Sequence, residues 1–128
     1  MPSIPTSPPG VSLDENMRAS RVRRGAVPLA TPATYFWFYK QVRNKGPWDY
    51  KQKGRQYEGF GNFHYGAVGR AAGIPEHILL RAAGCAQTLA GTSQLDWRGC
   101  RTVQPYGDDP RDQRWIRSGY EYAKTRGY

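Results

Sequence analysis

Four helix-start signals, spread along the chain, constrain its fold more than any other feature. Residues 12–15 (SLDE) form a capping box, in which the Ser and Glu side chains each satisfy a free backbone N–H. Proline stands at or beside the first helical position in Thr31-Pro32, at Pro75 and in Asp109-Pro110, where its missing N–H is not needed. These signals predict one helix ending at Arg24, one from Thr31 to about Asn44, one from Pro75 to about Leu89, and one after Asp109.

A further helix is predicted over residues 62–72, where glycine is unusually dense. Gly61, Gly66, Gly69 and Gly73 fall within or beside it, and each helical glycine costs about 1 kcal/mol relative to alanine. Such a cost is tolerated where another backbone or a ligand comes close. The spacing therefore predicts a helix that packs tightly against a neighbour.

The remaining pattern predicts a mostly α fold: a small single-domain helical bundle with long loops. Residues 1–10, rich in Pro and Ser, are expected to be a flexible leader, and residues 11–128 the helical domain. Residues 90–107 are expected to be a long loop, and a strand over 34–39 is the competing prediction for the second helix. In the helix predicted from Pro75, apolar residues at helical spacing predict the buried face, namely Ile78, Leu79, Ala82, Ala86 and Leu89.

Charge and composition narrow the classes of partner. The chain carries 19 Lys and Arg against 10 Asp and Glu, a net charge of +9, which suggests a polyanionic partner, although solubility alone would also explain it. No apolar run approaches the ~20 residues of a membrane span, and no secretory signal peptide is expected. Two cysteines, Cys85 and Cys100, are too few for a disulfide scaffold. Free thiols are the expectation, with a single bridge as the alternative.

The candidate functional residues are concentrated between residues 48 and 70. Aromatic rings can stack on bases while Arg and Lys hold phosphates. The predicted catalytic residues are Asp49, Lys51, Glu58, Asn62 and His64, and the predicted substrate-binding residues are Trp48, Tyr50, Arg55, Tyr65 and Arg70.

Metal-independent RNA cleavage would give these residues distinct roles, because it needs a base, an acid and a cation. His64, Glu58, and Lys51 or Arg55 could supply them. The alternative is that the aromatic residues are core, the charges a solvated face and His64 a satisfied buried side chain. Asn62 is expected to be a helix N-cap, or else a buried hydrogen-bonding residue.

No cofactor or metal is predicted. A divalent cation held by Asp108, Asp109 and Asp112, beside Asp49 or Glu58, is the alternative. Capping of the last helix explains Asp109 without a metal.

Four motifs also follow one another in a recognisable order: 9–16 (PGVSLDEN), 46–52 (GPWDYKQ), 57–69 (YEGFGNFHYGAVG) and 105–110 (PYGDDP). They resemble the polymorphic toxin type 44 domain found at the C-termini of bacterial RHS-repeat proteins. The resemblance extends from about residue 9 to 125. It implies that the shared polar positions are Asp49, Lys51, Glu58, Asn62, Asp108 and Asp109, and that asparagine often stands at the position of His64.

The resemblance implies an effector domain used in interbacterial competition. Such a domain would be delivered into target cells by a larger RHS carrier and neutralised by a cognate immunity protein. We expect a nuclease, with RNA as the favoured substrate. The alternatives are a toxin that hydrolyses peptidoglycan or its precursor, with Glu58 and Asp49 as acid and base, and a non-enzymatic module that binds nucleic acid or protein.

Overall fold

The computed structural model describes residues 4–89 and 104–128, with side chains described for 4–87 and 104–128. Within these residues the chain forms five α-helices and no strand, which confirms the mostly α prediction. Two short 3-10 helices, Tyr50–Lys53 and Arg55–Tyr57, connect the second helix to the third. The five are α1 (Leu13–Arg24), α2 (Pro32–Val42), α3 (Glu58–Ala71), α4 (Glu76–Leu89) and α5 (Pro110–Thr125).

Side-chain caps begin three of these helices, as the sequence predicted. The Ser12 hydroxyl accepts from the Glu15 N–H at 3.2 Å, and the Thr31 hydroxyl accepts from the Thr34 N–H at 3.3 Å. At the start of α5, Asp109 Oδ1 accepts from the Arg111 N–H at 2.9 Å. Each cap satisfies a donor that the first helical turn leaves free.

Helices α3 and α5 cross in backbone contact. A Cβ atom placed on Gly66 would collide with the carbonyl oxygen of Ile116, and one on Gly119 would collide with that of Phe63. The prediction of a glycine-rich helix packed tightly against a neighbour is confirmed. Around this crossing lie fully buried side chains from α1, α3, α4 and α5, including Met17, Phe60, Phe63, Leu80 and Ile116.

Two predictions about helix placement are wrong. Helix α3 begins at Glu58, not near residue 62, so Asn62 lies inside the helix as a buried hydrogen-bonding residue and not as its N-cap. In α4 the predicted buried stripe is wrong at Ile78, Ala82 and Ala86, which are exposed, and confirmed at Leu79, which is buried. Leu80, which was not predicted, is fully buried, and the side chain of Leu89 lies outside the described residues. Gly84 packs directly on the Tyr106 carbonyl, and this contact with the segment before α5 turns the Leu80 face inward.

Cys85 is disulfide-bonded, so the free-thiol expectation is wrong for this residue. Cys100, and most of the loop predicted over 90–107, lie outside the described residues. In the part of the chain that is described, no helix is long and apolar enough to span a bilayer.

Candidate functional site

A cluster of charged side chains forms where the N-terminal ends of α3 and α5 meet the first 3-10 helix. Glu58 begins α3, Asp112 lies in the first turn of α5, Asp108 comes just before that helix, and Lys51 lies in the 3-10 helix. Lys51, Asp108 and Glu58 are all close enough to act electrostatically on Asp112. We call Lys51, Glu58, Asp108 and Asp112 the charge cluster.

Asp112 has the most unusual environment of the four. Its side chain is buried, and this desolvation is the main reason that its pKa is raised to about 6. The nearby Lys51 lowers the pKa, whereas Asp108 and Glu58 raise it further. A carboxyl group with a pKa near neutrality can both accept and donate a proton at physiological pH.

Asp108 is buried and held rigidly. Its Oδ2 accepts from the Gln113 side-chain amide at 2.7 Å, and its Oδ1 accepts from the Asp109 N–H at 2.9 Å. The Gln113 amide also donates to the Leu80 carbonyl of α4 at 3.1 Å. Burial raises the pKa of Asp108, although the Gln113 hydrogen bond and the charge of Lys51 oppose the shift.

Lys51 reaches the cluster across a glycine. A Cβ on Gly61 would lie 3.1 Å from the Lys51 Cγ, so the absence of a side chain there lets the lysine stem lie on α3. Lys51 and Glu58 are both exposed, whereas Asp108 and Asp112 are buried. The cluster therefore has a buried acidic floor and an exposed rim that carries both signs of charge.

Asn62 lies one turn along α3 from Glu58. Its side-chain amide donates to the Glu58 carbonyl at 3.2 Å, inside the helix, and only 4% of its surface is exposed. This bond connects Asn62 to the backbone of the first turn, from which the Glu58 side chain extends. Asn62 thus supports the position of Glu58 in the structure.

His64 lies in the aromatic core, away from solvent. Its ring packs edge-on against Trp48 and Tyr50, with centroid distances of 5.2 and 4.8 Å, and its Nε2 lies 3.0 Å from the Asn16 amide. Complete burial lowers its pKa to about 3. The imidazole is therefore neutral at physiological pH, and we leave it out of the proposed chemistry.

Asp49 and the predicted aromatic contacts have structural partners. Asp49 Oδ2 accepts from the Lys45 N–H at 2.8 Å, which closes the turn after α2. The Tyr50 hydroxyl accepts from Asn16, and the Tyr65 hydroxyl donates to the Leu79 carbonyl at 2.7 Å. Trp48 packs edge-on against Trp37 as well as His64.

The two predicted arginines lie apart from each other. Arg55 is exposed in the second 3-10 helix, three residues before Glu58. Arg70 is in the last turn of α3, about 18 Å along the helix axis from Glu58 at 1.5 Å per residue. Of the predicted site residues, the structure brings Lys51, Glu58 and Asn62 together at or beside the charge cluster. It packs Trp48, Tyr50 and His64 together in the core.

Asp112 was expected only as a possible metal ligand, and its place in the charge cluster was not predicted. The usable signal was spacing: Asp108 and Asp112 are four residues apart across a helix start, so both can face one neighbour. Within the described ranges, no group of three or more His, Cys, Asp or Glu side chains is arranged to hold a metal ion.

A comparison with known protein families gives a match that covers the α-helices of the charge cluster. A family model described as bacterial toxin 44 matches residues 54–125, more than half of the chain. The chain belongs to the bacterial toxin 44 family. The match includes Glu58, Asn62, Asp108 and Asp112, and it begins after Lys51. No curated protein and no solved structure shows significant similarity to the chain.

Family membership confirms the predicted resemblance and identifies a bacterial toxin domain. Toxins of this kind in general have an immunity protein as partner, and the assignment is consistent with delivery into target cells.

Proposed function

We propose that this toxin domain is a hydrolase that cleaves RNA, with Asp112 as the group that moves the proton. The observation that carries the proposal is the environment of Asp112, a buried carboxyl group with a pKa of about 6 beside an exposed lysine. Perturbed carboxyl groups in charged clusters are typical of catalytic sites, because the protonation state must change near the working pH.

In the proposed reaction the Asp112 carboxylate takes the proton of a ribose 2′-hydroxyl. The 2′ oxygen forms a bond to phosphorus, the bond from phosphorus to the 5′ oxygen breaks, and the Lys51 ammonium protonates the leaving 5′ oxygen. The products of this first step are a 2′,3′-cyclic phosphate and a free 5′-hydroxyl. In the second step the neutral Lys51 amine takes a proton from water, the water oxygen forms a bond to phosphorus, the bond from phosphorus to the 2′ oxygen breaks, and the Asp112 carboxylic acid returns its proton to that oxygen. Lys51 also offsets negative charge on the phosphorane, as a preorganised cation does.

A polyanion can approach this acidic floor because its surroundings contain cations. Arg111 is exposed, pairs with Asp109 at 2.7 Å and acts electrostatically on Glu58 and Asp112. Arg114 influences Asp109. Together with the overall charge of +9, these side chains support an anionic substrate.

The excess of carboxylates over lysine in the charge cluster favours a second candidate, hydrolysis of a glycan in the cell envelope. Glycosidases use one carboxylic acid with a raised pKa and a second carboxylate. Asp112 would be the acid and Glu58 the partner, in place of the Glu58 and Asp49 pair expected from sequence. This candidate predicts killing only when the domain is sent to the periplasm.

The test is to incubate purified domain with total RNA, with and without EDTA, beside the Asp112→Asn and Lys51→Ala variants. We expect cleavage that EDTA does not stop, loss of cleavage in both variants, and full activity in Asp14→Asn, a matched change in the first turn of α1. If RNA stays intact and peptidoglycan fragments are released, the substrate is the envelope glycan and not RNA. If RNA and peptidoglycan both stay intact, and expression in the cytoplasm and in the periplasm is harmless, the hydrolase is refuted. The non-enzymatic module that binds nucleic acid or protein is then favoured.

We further propose that a larger RHS carrier delivers the domain into competing bacteria. A cognate immunity protein would protect the producer. The toxin family supports an immunity partner in general terms and is consistent with delivery into target cells. A small acidic reading frame directly downstream of the toxin gene, whose product abolishes toxicity on co-expression, is the expected finding.

A further inference from the structure

A cationic site lies at the opposite end of α3 from the charge cluster. A cavity of about 200 Å³ opens there between the C-terminal ends of α1, α3 and α5. Arg24 from α1 and Arg70 from α3 line it, together with Tyr120 and Tyr128. Its volume is below the usual range for drug-sized ligands, so it suits a small group.

The two arginines line this cavity without an Asp or Glu side chain beside them, and the main-chain oxygen of Tyr128 is the acceptor nearest to Arg70 in the described part of the chain. Among the described residues neither guanidinium forms an ion pair within 4.0 Å. A third guanidinium, that of Arg21, lies 4.0 Å from the centre of the Tyr128 ring. Two positive charges thus line one small space, and a third lies over the ring of a lining residue.

Arg24 has spare hydrogen-bonding capacity. Its Nε is buried and has no partner among the described residues. A buried N–H without an acceptor is costly, because the group has lost its water. An anion in the cavity would offset the positive charge of this guanidinium.

Arg70 is held in place for such a role. Its Nε donates to the Tyr128 carbonyl at 3.0 Å and one terminal nitrogen donates to the Tyr120 hydroxyl at 3.2 Å. The guanidinium also lies 5.2 Å from the centre of the Tyr120 ring. These contacts fix the guanidinium plane beside the cavity, and a fixed guanidinium suits bidentate recognition of phosphate.

We propose that this cavity binds a phosphate group through Arg24 and Arg70. The phosphate comes either from a free phosphorylated small molecule or from the backbone of a nucleic acid. The site shares no residue with the charge cluster, so it does not depend on the proposed hydrolytic function. Both sources present the same chemical group, a compact phosphate with one or two negative charges, which two arginines and a tyrosine hydroxyl would bind.

The experiment follows the arginine Nε–H signals of ¹⁵N-labelled protein during two separate titrations. One probe is inorganic phosphate and the other is a 2′-O-methyl oligoribonucleotide, which the proposed reaction cannot cleave. We expect saturable shifts of the Arg24 and Arg70 signals with at least one probe. Shifts with inorganic phosphate identify a free phosphate ligand, and shifts with the oligonucleotide alone identify the nucleic acid backbone.

Substitutions separate this site from general charge attraction. Arg24→Gln should weaken binding at least about tenfold, as loss of a charge-assisted hydrogen bond does, and Arg24→Lys should recover part of the affinity. Arg18→Gln removes the same charge from an exposed position on α1 and should leave binding nearly unchanged, as should Asp112→Asn. No shift with either probe, or equal weakening in Arg18→Gln and Arg24→Gln, would overturn the proposal.

Discussion

Protonation of His64 should make the domain sensitive to mild acid. The side chain is fully buried, and its pKa is lowered from 6.5 to about 3 by desolvation. The unfolded chain binds a proton at this residue below about pH 6.5, whereas the folded chain does not until about pH 3. Stability contributed by neutral His64 is therefore complete above pH 6.5 and is lost as the pH falls.

The magnitude follows from the two pKa values. Protonation of His64 in the unfolded chain lowers the free energy of unfolding by about 2 kcal/mol at about pH 5. Below about pH 3 this decrease approaches about 5 kcal/mol. Against a total stability of about 5–15 kcal/mol, the first figure alone is a large fraction. Asp112 acts in the opposite direction, because its raised pKa makes the folded state bind a proton first as the pH falls through 6.

Denaturant unfolding of matched variants isolates the His64 contribution. His64→Asn places at this position the residue that the family resemblance suggests, and His77→Asn removes the exposed histidine at the start of α4 as a control. Between about pH 8 and pH 5, wild type and His77→Asn should lose about 2 kcal/mol relative to His64→Asn. Parallel pH profiles for wild type and His64→Asn would refute the reasoning, whatever the absolute stabilities.

Three further predictions concern the charge cluster and the helix crossing. Asp112→Asn should raise the melting temperature at about pH 7.5 while abolishing activity, because it removes a carboxylate held in an environment that disfavours its charge; a lower melting temperature by calorimetry would contradict this. Glu58→Gln should lose toxicity with an unchanged circular dichroism spectrum, and loss of helical signal would show that Glu58 is structural. Gly119→Ala should destabilise the fold by about 3 kcal/mol or more, since the new Cβ meets the Phe63 carbonyl. In the same urea titration Gly127→Ala should cost less, because nothing lies within 4 Å and only its φ of +88° disfavours a side chain, by about 1–2 kcal/mol.

The helix starts could be predicted because a cap depends only on neighbouring residues. Ser12, Thr31 and Asp109 each form a bond within three residues. The start of α3 could not be found this way, because no side-chain cap marks it and two 3-10 helices lead directly into it. Asn62 was consequently predicted to be the N-cap of a helix, whereas it lies inside that helix.

The site was only partly predictable because its properties come from contacts between distant segments. His64 is titratable in sequence, yet rings contributed by residues 48, 50 and 60 remove it from water. Asp112 appears unremarkable beside a helix start. Its pKa is raised mainly by burial in the folded domain, and the charges of Lys51 and Glu58, more than 50 residues earlier in the chain, act on it as well. Residue type indicated the chemistry, but the tertiary arrangement determined which carboxyl group is perturbed.

Helices α3 and α5 cross at Gly66 and Gly119, because each glycine packs on a backbone carbonyl of the other helix. Glu58 and Asp112 lie about 12 and 10 Å from this crossing along their helices, at 1.5 Å per residue. A rotation of about 5° at the crossing would shift either carboxyl-bearing end by about 1 Å, which is enough to disturb a reacting geometry. Bulk added at this distant point would therefore impair the arrangement of the two acids before it unfolded the domain.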